Sequence, residues 1–138
     1  MDTISPSQRS ANMSRIRGRN TAPELIVRKL AHSLGYRFRL HLRELPGSPD
    51  LVFRSRKKVI FVNGCFWHRH EGCRYAYKPK SNVQSWENKF SSNVERDNRV
   101  TSELKNLGWR VLVIWECETT GNESLVTKLQ GYIGNVLD

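Results

Sequence analysis

PDLVFRSRKKVIFV, residues 49–62, is the stretch on which the fold turns. Leu51-Val52-Phe53 and Val59-Ile60-Phe61-Val62 are short apolar runs rich in β-branched and aromatic residues, and Arg54 to Lys58 between them is polar, a pattern that predicts a β-hairpin. Asp50 stands at the entrance of its first strand, just after the Pro46-Gly47-Ser48-Pro49 break. Upstream, Tyr36, Phe38, Leu40 and Leu42 alternate with Arg37, Arg39, His41 and Arg43, which predicts a half-buried strand with a basic outer face. Before it, Thr21-Ala22-Pro23-Glu24 reads as a capping box: the Thr hydroxyl accepts from the amide of Glu24, and Glu24 reaches back. Leu25, Ile26, Leu30 and Leu34 then recur at helical spacing up to Gly35, predicting a helix over 22–34. Residues 1–20 carry few large apolar residues and read as a basic arm containing a short helix.

Downstream of the hairpin, residues 64–80 have no period and predict a loop that needs some other staple. A long solvent-edged helix is expected over 86–107, ended by Gly108. WRVLVIW, residues 109–115, predicts a central strand covered on both faces. Leu125, Val126, Leu129, Ile133 and Val136 close the chain with an amphipathic helix. This order of elements predicts an α/β sandwich on a mixed sheet, one domain over 21–138 behind the arm.

The chain has 138 residues, enough for one compact core without disulfides. Lys and Arg number 23 against 13 Asp and Glu, a net charge of +10, and nine of the basic residues fall between Ser5 and Arg43 beside a single acid, Glu24. Such a concentrated footprint points to an anionic polymer, DNA foremost. No apolar run approaches the ~20 residues of a membrane span, and the first residues lack the apolar region of a secretory signal. With three cysteines that cannot all pair within the chain, the expectation is a reduced, cytoplasmic protein.

Two groups of residues could carry chemistry. Cys65, His68, His70 and Cys73 fall within nine residues and Cys117 follows the last strand, five ligands from which a tetrahedral zinc site could be drawn, with either His. The plain alternative is three ordinary reduced cysteines, one or two of them buried. Asp50 before an apolar strand suits a carboxylate that holds Mg2+ against a phosphate, although an Asp in a Pro-Gly turn is the commoner case. Glu24 and Asp97 read by themselves as a capping residue and a solvated helix charge, and His68 as a ligand, a general base or a surface residue. Phe66, Trp67 and Trp86 beside positive charge suit base stacking, or else cover the metal loop.

Taken together, RSANMSRI (9–16), TAPE (21–24), LPGSPD (45–50), VIFVNGCFWH (59–68), NVERD (93–97) and LGWRVLVIWEC (107–117) resemble the very-short-patch repair (Vsr) mismatch endonuclease family, a branch of the PD-(D/E)xK nucleases, over nearly the whole chain. The resemblance implies a restriction-endonuclease-like mixed β-sheet flanked by helices, and an Mg2+-dependent enzyme that nicks duplex DNA 5′ of the thymine in a T:G mismatch left by deamination of 5-methylcytosine. It implies Asp50 as the metal carboxylate with the backbone carbonyl of Val62 as a second ligand, His68 as the proton-transfer residue, and Glu24 and Asp97 as supporting acids. Structural zinc would be held by Cys65, His70, Cys73 and Cys117. Phe66, Trp67 and Trp86 would wedge into the base stack, and the arm, through Met13, Arg15, Ile16 and Arg17, would approach the minor groove.

Asn63 stands where the best-known members have a His, so that position can hydrogen-bond water but cannot titrate. The zinc loop has two residues, Glu71 and Gly72, where the best-known pattern has one. The expected setting is a bacterial cytoplasmic monomer acting at the nucleoid, with other mismatch-repair proteins as further partners. The competing classes are a zinc-stapled DNA-binding protein without activity and a PD-(D/E)xK nuclease that cuts matched DNA.

Overall fold

The computed structural model describes residues 21–134, so the basic arm with Met13, Arg15, Ile16 and Arg17, and also Val136, lie outside the described residues. Helix α1 (Ala22–Ser33) starts where the capping residues place it, with Thr21 Oγ1 accepting from the Glu24 amide at 3.4 Å and Pro23 in the first turn. Strand β1 (Arg39–Leu40) follows, then β2 (Leu51–Phe53) and β3 (Lys58–Asn63). A single 3₁₀ turn, Arg54–Arg56, and a left-handed Lys57 join β2 to β3, as the polar turn requires. Helix α2 (Val83–Asn106) begins three residues earlier than the apolar period indicates, and β4 (Arg110–Trp115) and α3 (Asn122–Ile133) complete the fold.

The sheet order is β1-β2-β3-β4. The first three strands are antiparallel neighbours, with Leu51 opposite Ile60, while β3 and β4 run parallel with Val59 opposite Val111. A parallel pair needs a long crossover, and α2 supplies it. Period-two alternation then sorts the side chains onto two faces. Leu51, Phe53, Ile60 and Ile114 meet Val27 and Ala31 of α1 and Leu125, Leu129 and Ile133 of α3. Val52 and Val59, with Phe61 and Val111, meet Val100 and Leu104 of α2. The result is a mixed four-stranded sheet between helices on both faces, with each fully buried aliphatic side chain contributing about 1.5–3 kcal/mol. Among the described residues no helix is long and apolar enough to cross a membrane.

Two expectations are corrected. The strand expected from Tyr36 to Leu42 shrinks to two residues, both exposed, because His41 adopts a left-handed conformation (φ 46°) that ends the pairing. His41 also leaves the basic outer face, since its side chain turns inward and is only 9% exposed. WRVLVIW is covered on both faces, as its composition demands, but β4 lies at an edge of the sheet of described residues; the inner positions belong to β2 and β3, each paired on both sides. Composition reports burial of the faces and is silent on which strand lies alongside.

Part of the positive charge is structural. Arg56 Nη1 and Lys58 Nζ donate to the carbonyls of Ile133 and Tyr132 at 2.8 and 2.7 Å, and Tyr36 Oη donates to Gly134 O at 2.6 Å. These groups close the C-terminal end of α3, where the helix dipole favours cations. At the opposite side of the sheet, Gly47 (φ 75°) packs so tightly that a Cβ there would sit 2.5 Å from Val100 Cγ1 and 3.3 Å from Phe61. Both the left-handed backbone and this contact select glycine. Gly47→Ala is therefore expected to lower the melting temperature by an amount matching about 1–3 kcal/mol of overpacking, read by thermal denaturation; an unchanged melt would show that the turn yields freely.

Candidate active site and metal centres

Asp50 precedes β2, and its Oδ2 accepts a hydrogen bond from the Val62 amide at 2.7 Å, so the carboxylate is tied across the hairpin to β3. Glu24, in the first turn of α1, is buried, and Arg28 one turn later holds its Oε2 at 3.0 Å. His41 completes the group: its Nε2 is 2.8 Å from Glu24 Oε2 and 3.6 Å from Asp50 Oδ1. Despite the short distance the contact with Glu24 lacks hydrogen-bond geometry, and His41 Nε2 is buried with no hydrogen-bond partner among the described residues. One ligand atom from each of Glu24, His41 and Asp50 lies within 4.8 Å of the others. A buried and a partly buried carboxylate facing an imidazole nitrogen without a hydrogen-bond partner form a donor set that a divalent cation fits. Burial pushes the Asp50 carboxyl up to about 7, with the nearby Glu24 charge adding to the rise and the Val62 amide opposing it.

Opposite this group, His68 Nδ1 and Asp97 Oδ2 are 2.6 Å apart. With Asp97 accepting from Nδ1–H, Nε2 is the nitrogen left to exchange a proton. Asp97 is placed by α2, where Asn93, Asp97, Val100 and Leu104 share one helical face. Both groups open into one cleft of about 330 Å³, lined also by Ser48, Asn63, Arg96 and Thr101. Asn63 ends β3 and is buried at the cleft wall.

β3 runs directly into the Cys/His loop. Cys65, His70, Cys73 and Cys117 converge, with their ligand atoms within 4.8 Å of one another. His70 Nδ1 is 3.6 Å from Cys65 Sγ and 3.5 Å from Cys117 Sγ. Metal bonds of about 2.0 Å to nitrogen and 2.3 Å to sulfur put tetrahedral ligand atoms roughly 3.5–3.8 Å apart, so the set fits a zinc-like ion. The His70 ring stacks on Trp115 at 4.3 Å, which fixes its orientation, and a bond from Trp115 N to Glu118 Oε1 (2.9 Å) holds the turn that carries Cys117. Burial pushes the Cys65 thiol up to about 12, so a bound cation would be needed to keep that sulfur ionised. His70 joins the cysteines and His68 does not; spacing alone left the two open.

Phe66, Trp67 and Trp86 are brought together, but against one another. Phe66 lies 5.2 Å from Trp67, 5.3 Å from Trp86 and 5.1 Å from Phe90, and Trp67 is buried. Tyr77, 4.9 Å from Phe66 and 62% exposed, forms the outer edge of this cluster.

Sequence reasoning missed three residues. His41 was placed on the outer face of a strand, and nothing in the alternation separates it from its arginine neighbours. Arg69 is the second staple of the loop: its guanidinium donates to the carbonyls of Phe66, Ala76 and Tyr77 and lies 4.0 Å over the Phe90 ring. Asn93 donates from Nδ2 to Trp67 O at 3.0 Å, tying the loop to α2. Its spacing of four residues from Asp97 was a usable signal.

The family model for the DNA mismatch endonuclease Vsr matches residues 1–74. The chain is 48% identical over 137 residues to the type II nicking enzyme V.XorIIP of Xanthomonas oryzae, covering 99% of this chain and 97% of the relative. It is 43% identical over 124 residues to the DNA mismatch endonuclease Vsr of Escherichia coli, covering 90% and 79%. The type II nicking enzyme V.NmeAIP of Neisseria meningitidis is 36% identical over 137 residues, 99% of this chain and 97% of the relative.

The raised Asp50 pKa makes a stability statement. The folded chain keeps a proton that the unfolded chain releases between 3.8 and about 7, so the contribution of Asp50 to stability falls as pH rises through that window. Without added divalent ions, Asp50→Asn should melt increasingly above the wild type as pH is raised from about 5 to about 8. A difference in melting temperature that stays constant over that range would show that Asp50 is ionised in the fold at the lower pH.

Proposed function

The chain belongs to the DNA mismatch endonuclease Vsr family, and on that premise we propose that it nicks double-stranded DNA on the 5′ side of the thymine in a T:G mismatch, using Mg2+ held at Asp50. As a member of that family it is a DNA endonuclease, a hydrolase of phosphodiester bonds. The observation that carries the finer reading is one cleft that joins the Asp50 carboxylate to the His68–Asp97 pair. A binding protein without activity has no use for that pairing.

In this reading Asp50 and the Val62 carbonyl hold Mg2+, with Glu24 beside them as a supporting acid. Bound there, Mg2+ supplies charge neutralisation at the scissile phosphate. His68 Nε2 takes a proton from water as the water oxygen bonds to phosphorus, the P–O bond to the departing sugar oxygen breaks and that oxygen is protonated from solvent, while Asp97 holds Nδ1–H and keeps the imidazole in the competent tautomer. Asn63 hydrogen-bonds water without titrating. Zinc at Cys65, His70, Cys73 and Cys117 is structural and fixes the loop on which His68 and the aromatic rings ride. Phe66, Trp67 and Trp86 open the base step at the mismatch, where a wobble pair stacks less well, and the arm with Met13, Arg15, Ile16 and Arg17 adds minor-groove contacts and positive charge.

The mixed sheet with helices on both faces supports a restriction-endonuclease-like domain over 21–138, with the arm over 1–20. The enzyme works as a monomer in the bacterial cytoplasm, at the nucleoid, alongside other mismatch-repair proteins.

Paired T:G and T:A duplexes of the same flanking sequence, with and without added Mg2+, test this directly. Nicking is expected only on the T:G duplex with Mg2+. His68→Ala should reduce it by about 10²–10⁴-fold while zinc is retained. Phe66→Ala and Trp86→Ala should reduce T:G nicking far more than binding to matched duplex. Equal cutting of both duplexes would replace this reading by a nuclease of matched DNA. For the zinc assignment, elemental analysis should find about one zinc per chain in the wild type, and Cys73→Ser should lose it and melt at lower temperature. Wild-type protein free of zinc would reject it.

A further inference from the structure

We propose that His41 is a direct ligand, through Nε2, of the divalent ion at the Asp50 site, so that Glu24, His41 and Asp50 form a mixed nitrogen and oxygen site. The inference rests on the reading that Asp50 holds a divalent ion. Three independent features of His41 lead to it. Its imidazole is more than nine-tenths buried, and Nε2 has no hydrogen-bond partner among the described residues, a state that costs free energy unless another partner takes the nitrogen. Nε2 points between two carboxylates, 2.8 Å from Glu24 Oε2 and 3.6 Å from Asp50 Oδ1, where an ion touching all three can sit. The backbone is left-handed at φ 46°, a conformation that costs a non-glycine residue and that turns this side chain away from the outer face occupied by its neighbours Arg39 and Arg43.

Charge supports the same arrangement. Glu24 and Asp50 place two carboxyl groups side by side, and Arg28 on Glu24 brings one positive charge. A neutral imidazole adds a ligand without adding charge, leaving the pair of carboxylates to a divalent cation. An imidazole donor also alters the choice of metal. Sites made only of oxygen suit Mg2+, Ca2+ and Mn2+ alike, whereas one nitrogen among them raises the affinity for Mn2+ and later first-row ions relative to Mg2+. This chain is accordingly expected to bind Mn2+ more tightly than Mg2+ at this site, and to lose much of that advantage when His41 is removed.

The test uses zinc-replete, full-length protein titrated with Mn2+ alone. Pulsed electron paramagnetic resonance of bound Mn2+ should show modulation from a directly coordinated nitrogen. His41→Gly suits the left-handed backbone and His41→Asn tolerates it, so both are expected to fold with a wild-type circular dichroism spectrum. Both should abolish the nitrogen modulation and weaken Mn2+ binding at least about tenfold. Asp50→Ala should abolish the Mn2+ site altogether. Nitrogen modulation that is absent from the wild type, or that persists in His41→Gly, overturns the inference, since a purely structural His41 leaves the metal spectrum unchanged. Failure of the wider reading looks different: a protein that cuts T:A and T:G duplexes alike while showing the His41 nitrogen signal loses the mismatch function and keeps the ligand.

Discussion

The hydrogen bond from the Val62 amide to Asp50 Oδ2, 2.7 Å long, is the interaction on which the rest of the site depends. It fastens the cleft carboxylate to β3, which like β2 is paired on both sides among the described residues. β3 is held laterally by β2 and β4, and above and below by Ile60 and Val59 in two separate cores. One residue beyond its end, at Gly64, it gives way to the loop that carries Cys65 and His68. A shift of β3 by one residue would turn Ile60 and Val59 to the wrong faces and would move the Asp50 anchor and the Cys/His loop together. The two candidate metal centres are thus positioned by one strand, and the fold cannot adjust either without the other.

How much of this was legible in the sequence depended on the range of the forces involved. Thr21, Pro23 and Gly35 act on neighbouring residues, and helix α1 starts and stops within a residue of where they place it. The hairpin likewise follows from a polar turn between two short apolar runs. β1 failed because the backbone of His41 is decided by its environment, the Glu24 and Asp50 carboxylates, and those lie 17 residues before and nine after it in the chain. The strand over 109–115 forms as expected, but its central place was misjudged for a different reason: an apolar run senses cover above and below, which β4 has, and carries no information about lateral neighbours. The Cys/His group shows the intermediate case. Local spacing assembled the candidates, and only the return of Cys117 after β4 and the stacking of His70 on Trp115 separate His70 from His68.

The same environment that hides His41 from sequence makes the cleft costly to fold. Glu24 and the His41 Nε2 nitrogen are polar groups withdrawn from water, Asp50 is partly so, and each would be better hydrated in the unfolded chain. The fold holds them because the surroundings are over-determined: Gly47 is wedged against Val100 and Phe61, Val62 grips Asp50, and Arg28 grips Glu24. Local strain at His41 and Ser48, both left-handed without being glycine, sits on the same rim. Among the buried side-chain atoms of the described residues His41 Nε2 is the one left without a hydrogen bond, and a cation shared with the two carboxylates would satisfy it.

The aromatic cluster sets a related constraint on recognition. Under the proposed reading the rings must leave one another to enter DNA, yet Phe66 already contacts Trp67, Trp86, Phe90 and Tyr77 edge-on or tilted. Such pairs are worth about 0.5–1.5 kcal/mol each beyond burial, whereas a base stacked on a ring is worth about 1–3 kcal/mol. Exchanging several ring pairs for one or two stacked bases is therefore close to balanced. When gain and loss nearly cancel, the cost of opening the base step decides whether insertion occurs, and that cost is lower beside a wobble pair than beside a Watson-Crick pair. A freely exposed wedge would gain from every step it entered and would discriminate poorly. Packing the rings on each other removes that surplus, and Asn93 and Arg69, which hold Trp67 and Phe66 by their backbone carbonyls, keep the loop itself in place while the side chains exchange partners.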